Sequence, residues 1–216
     1  MRPCLAELLS HPLLWQTGVA RANQASISTG FPELDERLPG QGWPAQGLIE
    51  LLSEVPGRSE LVLLAPAFAR CMRSATAWVS LIAPPFEPYA PAFAGAGLDI
   101  ERVMVIRTQR MAWAMEQVAR SGACRFIMAW PSRIQAKSLR RLQLAAEQMQ
   151  VLLVLCRQRN ARGSTSPAVL RVELQSAREG MHLDIFKSRG GKVGRVCLRD
   201  VYTPSQPFGE HESIAR

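Results

Sequence analysis

Between Gly47 and Leu64 the chain reads GLIELLSEVPGRSELVLL: an apolar run, a short turn-rich segment, and a second apolar pattern. The first run, Leu48 to Leu52, is broken only by Glu50, and Ser53 to Ser59 gathers Pro56 and Gly57 before the second pattern begins. Strand, loop, helix is the layout of a phosphate-binding loop, and the rest of the chain is organised around it. A working loop has the form G-x-x-x-x-G-K-[ST], in which glycines let backbone N–H groups curl round phosphates, the lysine reaches the terminal phosphates and the hydroxyl holds magnesium. Here Gly57 and Ser59 remain, Arg58 stands at the lysine, Leu52 replaces the first glycine and Pro56 removes an amide donor. Gly57, Arg58 and Ser59 therefore read as the remnant of a nucleotide loop, and no bound cofactor is expected.

Beyond the loop the chain alternates helix and strand. Glu60 to Arg73 places Leu61, Leu64, Phe68, Cys71 and Met72 on one helical face despite Pro66, and Ala77 to Ile82 is a short buried strand closed by Pro84, Pro85 and Pro88. A third strand, RVMVI, comes after the turn Gly97-Leu98-Asp99. A helix through Met111, Met115 and Val118 then ends at Gly122. CRFIMAW is a continuous apolar strand, Ser132 to Met149 a basic helix, and VLLVLC another strand. This order argues an α/β domain with a mainly parallel sheet covered on both faces. Val169–Leu174 and Met181–Phe186 alternate like paired antiparallel strands joined near Gly180. The expected organisation is a helical segment and linker over residues 1–27, one domain over 28–201, and a tail over 202–216 too poor in apolar residues to pack.

Two stretches carry a family resemblance. STGFPELDERLPGQGWPAQGLIEL, residues 28–51, resembles the lead-in to the RecA ATPase core, with Ser28, Thr29, Gly30, Leu34, Asp35, Gly40, Gly42, Pro44, Gly47 and Glu50 at the recurring positions. ARSGACRFIMAWPS, residues 119–132, resembles the run into the RecA strand that ends in a magnesium-binding aspartate; here the strand ends in Trp130. The same resemblance puts the water-activating glutamate of that family at Pro85 and its nucleotide-sensing glutamine at Gln158. It implies a RecA-like core without catalysis, because phosphoryl transfer is positioning plus electrostatic stabilisation by groups this chain lacks.

With WVSLIAPPFEPYAPAFAGAGLD (78–99) and LRRLQLAAE (139–147), the chain is similar over most of its length to the ImuA family of bacterial mutagenesis operons. That resemblance implies an accessory role in SOS-induced, error-prone translesion DNA synthesis, with an ImuB-like polymerase homologue, an ImuC-type error-prone polymerase and RecA as partners. SulA, the SOS inhibitor of the division GTPase FtsZ, shares the region from about Glu60 to about Leu155, so a SulA-like division inhibitor is the alternative.

A net charge of +8 favours an acidic partner. Arg133, Lys137, Arg140 and Arg141 are spaced to share a helical face, and Lys187, Arg189 and Lys192 flank Gly190 and Gly191 on a basic hairpin expected to be flexible. Each reads as solvated surface or as contacts to DNA or an acidic protein. Any DNA binding is expected to be weak, non-specific and salt-dependent, since no aromatic platform accompanies the charges. Leu5, Leu8, Leu9, Leu13 and Trp15 fit a short amphipathic helix broken at Pro12, either packed on the domain or docking another protein, with Leu13 and Trp15 as the anchors. Scattered cysteines, no metal-ligand spacing among the histidines, and no apolar run near membrane length lead to an expectation of a cytoplasmic, non-enzymatic protein that binds no metal and no membrane.

Overall fold

A computed structural model of the chain describes residues 25–74, 77–177, 179–199 and 201. The expected helical segment with Leu13 and Trp15, and the tail from Tyr202, lie outside the described residues. Ten strands are present among those described: β1 Ser26–Ile27, β2 Trp43–Pro44, β3 Gly47–Ser53, β4 Trp78–Ile82, β5 Val103–Ile106, β6 Cys124–Ala129, β7 Leu152–Gln158, β8 Leu170–Ala177, β9 Gly180–Ser188 and β10 Gly194–Arg199. The α-helices are α1 Pro32–Asp35, α2 Glu60–Cys71, α3 Ala90–Gly95, α4 Met111–Ser121 and α5 Ala136–Gln148.

The main sheet has eight strands in the order β10-β9-β8-β3-β7-β6-β4-β5. Pairing is parallel from β8 to β5, and antiparallel between β8, β9 and β10. The expected mixed α/β architecture with C-terminal antiparallel strands is thus what the chain adopts. Strand β3 lies between β7 and β8, inside the sheet, and all seven of its residues are buried.

Alternation along the parallel strands divides the core into two layers. Ile49, Leu51, Val79, Leu81, Phe126, Met128, Leu152 and Val154 meet Leu63, Leu64, Ala67 and Phe68 of α2. On the opposite face, Leu48, Ile82, Ile127, Leu153 and Leu155 meet Ala114, Met115 and Ala119 of α4 and Leu139, Leu142 and Ala146 of α5. Phe68 packs edge-on against Phe126 with ring centroids 4.4 Å apart, a favoured aromatic geometry. Gly122 ends α4 in the left-handed conformation, φ 71°, as its position past the last apolar residue predicts.

Three local expectations are corrected. The polar stretch up to Ser28 reads as a linker, but Ser26 and Ile27 pair with Pro44 and Trp43 in a small two-stranded sheet. Helix α2 buries Leu63, Leu64, Ala67 and Phe68, whereas Leu61 and Cys71, expected on its core face, are only half-buried. Helix α5 begins at Ala136, so Arg133 lies in the preceding turn and not on the helical face with Lys137, Arg140 and Arg141.

The lead-in residues make a clasp whose chemistry explains their types. Asp35 accepts from Ser28 Oγ and Thr29 N, both at 2.8 Å, while Thr29 Oγ1 accepts from Phe31 N at 3.0 Å. Leu34, Leu38 and Trp43 are buried beneath. Gly42 is needed for close approach, since a Cβ there would stand 2.5 Å from the Ile27 carbonyl oxygen.

Candidate functional site

Strand β3 delivers the loop Glu54–Ser59 at its C-terminal end, and α2 leaves it, as in a phosphate-binding loop. The interior of this loop already holds an anion. The Glu60 side chain, fully buried at the first position of α2, accepts from Ser53 Oγ at 2.7 Å and from Gly57 N at 2.8 Å. A carboxylate in the first turn also complements the positive end of the helix. A backbone donor and a hydroxyl that a phosphate would otherwise find are therefore paired within the chain.

Ser59 and Gly57 are similarly committed. Ser59, at the position of the magnesium-holding hydroxyl, is buried with its Oγ 3.3 Å from Ser176 Oγ of β8. Gly57 has φ 99°, and a Cβ there would collide with Pro85 Cγ and stand 3.1 Å from the Phe86 ring. The Pro84–Pro88 segment after β4 is thus strapped down on the loop. Arg58 is exposed and makes no ion pair among the described residues.

Arg58, Pro85 and Trp130, the three positions where the family resemblance puts lysine, glutamate and aspartate, all line one groove. It encloses about 560 Å³ between α2 and the segment running from Pro84 through α3 to Leu98. Its walls are apolar: Leu61, Val62, Ala65 and Pro66 on one side, Phe86, Tyr89 and Phe93 on the other. Trp130 closes the base with 8% of its surface exposed, and its indole N–H has no hydrogen-bond partner. Glu87 lines the groove too but is paired with Arg107. The half-buried state of Leu61 results from this groove, because that flank of α2 faces an opening. Gln158 is exposed at the end of β7, where its side-chain carbonyl accepts from Asn160 Nδ2 at 3.4 Å, and it does not line the groove.

A buried charge network at β3, β7 and β8 fastens the Arg159–Pro167 connection to the sheet. Glu50, with no exposed surface, accepts from Arg171 Nε at 2.7 Å, Arg157 Nη1 at 3.1 Å and Ser166 Oγ at 2.7 Å. Arg171 also donates to the carbonyls of Ala161 (2.8 Å) and Ser164 (2.9 Å). Glu173 takes Arg159 at 2.6 Å and Arg162, which reaches Asp184 at 2.8 Å and stacks over the Phe186 ring at 4.5 Å. Burial pushes the Glu173 carboxyl up, but hydrogen bonds from Gln175 and Arg162 and the charges of Arg159 and Arg162 outweigh it, leaving the group below its ordinary value. The Glu173 and Asp184 carboxylates hold the Arg162 guanidinium above its own. Arg157, Arg159, Arg162 and Arg171 are thus each paired with a carboxylate within the chain.

The remaining basic candidates do not form one cluster. Lys187 donates to the Ser166 carbonyl at 2.6 Å, and burial, with help from Arg189 and Arg171, lowers its ammonium below the ordinary lysine value. Arg189 reaches Glu147 of α5 at 3.2 Å, and Gly191 is packed against Pro39, so the hairpin expected to be flexible is anchored. Arg141 pairs with Glu116 of α4. Arg133, Lys137, Arg140 and Lys192 are exposed and make no ion pair among the described residues. No set of three metal-ligating side chains is gathered, and no helix is long and apolar enough to cross a membrane, among the described residues.

No protein-family model and no curated protein matches the chain. Among solved structures it is similar to the crystal structure of SulA from Pseudomonas aeruginosa, with 23% sequence identity and a TM-score of 0.42 over 51% of this chain and 97% of that one.

Sequence reading missed Glu60 as the occupant of the loop and missed the groove. The signal for the first was present: an acidic residue directly after the loop, in the first turn of a helix. The signal for the second was weaker, a half-apolar segment with Phe86, Tyr89 and Phe93 that carries no strong periodicity.

Proposed function

We propose that this chain is a non-catalytic, RecA-like accessory protein in SOS-induced, error-prone translesion synthesis, acting through protein contacts with an ImuB-like polymerase homologue, an ImuC-type polymerase and RecA. The family part of this reading rests on the resemblance of residues 28–51, 78–99, 119–132 and 139–147. The observation that carries its non-catalytic part is the Glu60 carboxylate lodged against Ser53 Oγ and Gly57 N. A second anion brought to those donors would meet a buried negative charge, and at a few ångströms in a poorly screened interior such repulsion amounts to several kcal/mol. Arg58 at the rim attracts phosphate but cannot by itself replace a lysine, a metal and a water-orienting group.

Purified protein is expected to show neither ATP turnover above background nor a thermal shift with ATP and magnesium; turnover that disappears in Arg58→Ala would refute the non-catalytic reading. The partner part is checked by capturing purified RecA, an ImuB-like protein and FtsZ on the immobilised full chain. Capture of RecA or the ImuB-like protein is expected. Capture of FtsZ alone would replace the mutagenesis reading with division inhibition, and capture of none by a folded sample would remove the accessory reading.

A further inference from the structure

The groove beside the loop is open and oily, while most other large apolar side chains among the described residues are buried. Phe86 and Tyr89 are 55% and 70% exposed at its lip, and Leu61, Val62, Ala65 and Phe93 are half-covered within it. Contiguous apolar surface of this kind marks a site covered by something else. We propose that it is covered by this chain's own N-terminal stretch, residues 3–15, which lays Leu5, Leu8, Leu9, Leu13 and Trp15 against α2 and the Phe86–Phe93 wall.

Chain geometry selects this occupant. The described chain begins at Ala25, and Gly30, five residues on, lies against α2: a Cβ at Gly30 would stand 2.6 Å from Cβ of Pro66, a residue that lines the groove. Ten residues join Trp15 to Ala25, enough to span up to about 35 Å, so the tether can place the stretch anywhere along the groove. A tether of that length holds its end at an effective concentration near the millimolar range, which favours this segment over a free partner of equal apolar area. The composition is complementary. Leu5, Leu8 and Leu9 stand at the sequence spacing of one apolar helical face before Pro12, and Glu7 is the only acidic residue among the first 24, to set against Arg58, the groove's unpaired cation among the described residues. Coverage of the groove in this way does not depend on the accessory role.

The test uses the full chain with a photoreactive benzoylphenylalanine in place of Tyr89. Irradiation is expected to give adducts at monomer mass joining position 89 to peptides from residues 1–24. Adducts that join only other regions, or that appear only at dimer mass because a second copy supplies the segment, would overturn the proposal. As an independent measurement, Leu9→Asp with Leu13→Asp is expected to speed amide exchange in residues 61–66 and 84–98 about tenfold while leaving β3 and β7 unchanged. Unchanged exchange in those two segments would overturn it. If β3 and β7 also open, the variant has lost its fold and the adduct pattern decides.

Discussion

Replacing Glu60 by alanine tests whether the loop is held shut by its own carboxylate. The carboxylate accepts two hydrogen bonds, from Ser53 Oγ at 2.7 Å and Gly57 N at 2.8 Å, with no solvent access. Hydrogen bonds to a charged acceptor contribute roughly 1.5–3 kcal/mol each, and the alanine variant leaves both donors without a partner. Against this stands relief from burying the carboxylate, so the net loss is expected at about 2–4 kcal/mol. Glu60→Gln keeps one acceptor oxygen and is expected to lose about 1–2 kcal/mol. In urea, with a slope of roughly 2 kcal/mol/M, the alanine variant shifts the midpoint down by about 1–2 M at unchanged slope.

Phosphate binding separates a filled loop from a merely stabilising glutamate. If the carboxylate stands where a phosphate would sit, the alanine variant regains an anion site, and inorganic phosphate at about ten times its dissociation constant would return about 1.4 kcal/mol. The native chain would gain nothing. A loss below about 0.5 kcal/mol, or equal stabilisation of both chains by phosphate, would refute the claim that Glu60 fills the loop.

Gly57→Ala meets both a φ of 99° and collision with Pro85, so a loss of about 1–3 kcal/mol is expected by thermal melting, and a neutral result would show that the Pro84–Pro88 strap yields. Glu173 lies below its ordinary value of 4.5 in the folded chain, so its contribution is fully present above that pH and is lost as pH falls through the folded value. The stability gap between the native chain and Glu173→Gln, measured by urea titration from pH 7 downward, should therefore hold to about 4.5 and then close. A gap that widens on acidification would contradict the ion-pair assignment.

Strands β3, β6 and β7 were legible because a strand buried on both faces in a parallel sheet has to be apolar throughout, whatever its neighbours. The end of α4 was legible because Gly122 adopts a conformation costly to other residues. The start of α5 was not: Ser132 has the chemistry of a cap, yet the helix begins after Gln135 and no side chain caps it. On α2 Leu64, Phe68 and Met72 are buried as expected, and the departure is confined to Leu61 and Cys71, which are half-buried. Leu61 is as apolar as Leu63, and only the groove, formed with residues more than twenty positions away, leaves one half-open and the other covered. The Glu50–Arg171 pair joins residues 121 positions apart, and no local pattern in the sequence signals it.

The pairing inside the loop bears on whether a phosphate could enter it. A phosphate loop that had only decayed would keep its donors free and its hydroxyl turned inward, and restoring a lysine would restore some affinity. Here each group a phosphate would meet has a partner within the chain: Gly57 N and Ser53 Oγ have Glu60, Ser59 Oγ has Ser176, and the space over the loop has Pro85 and Phe86. Trp130, where the sequence resemblance puts an aspartate, lines the groove with a bulky apolar ring that offers no oxygen to a metal. A buried carboxylate and a wet metal site impose opposite demands on one loop, since the first needs the donors dry and paired and the second needs them open to phosphate. The loop's residues satisfy the first demand together, which makes the closed loop a built feature of this fold and directs the search for function to the apolar groove and the surfaces around it.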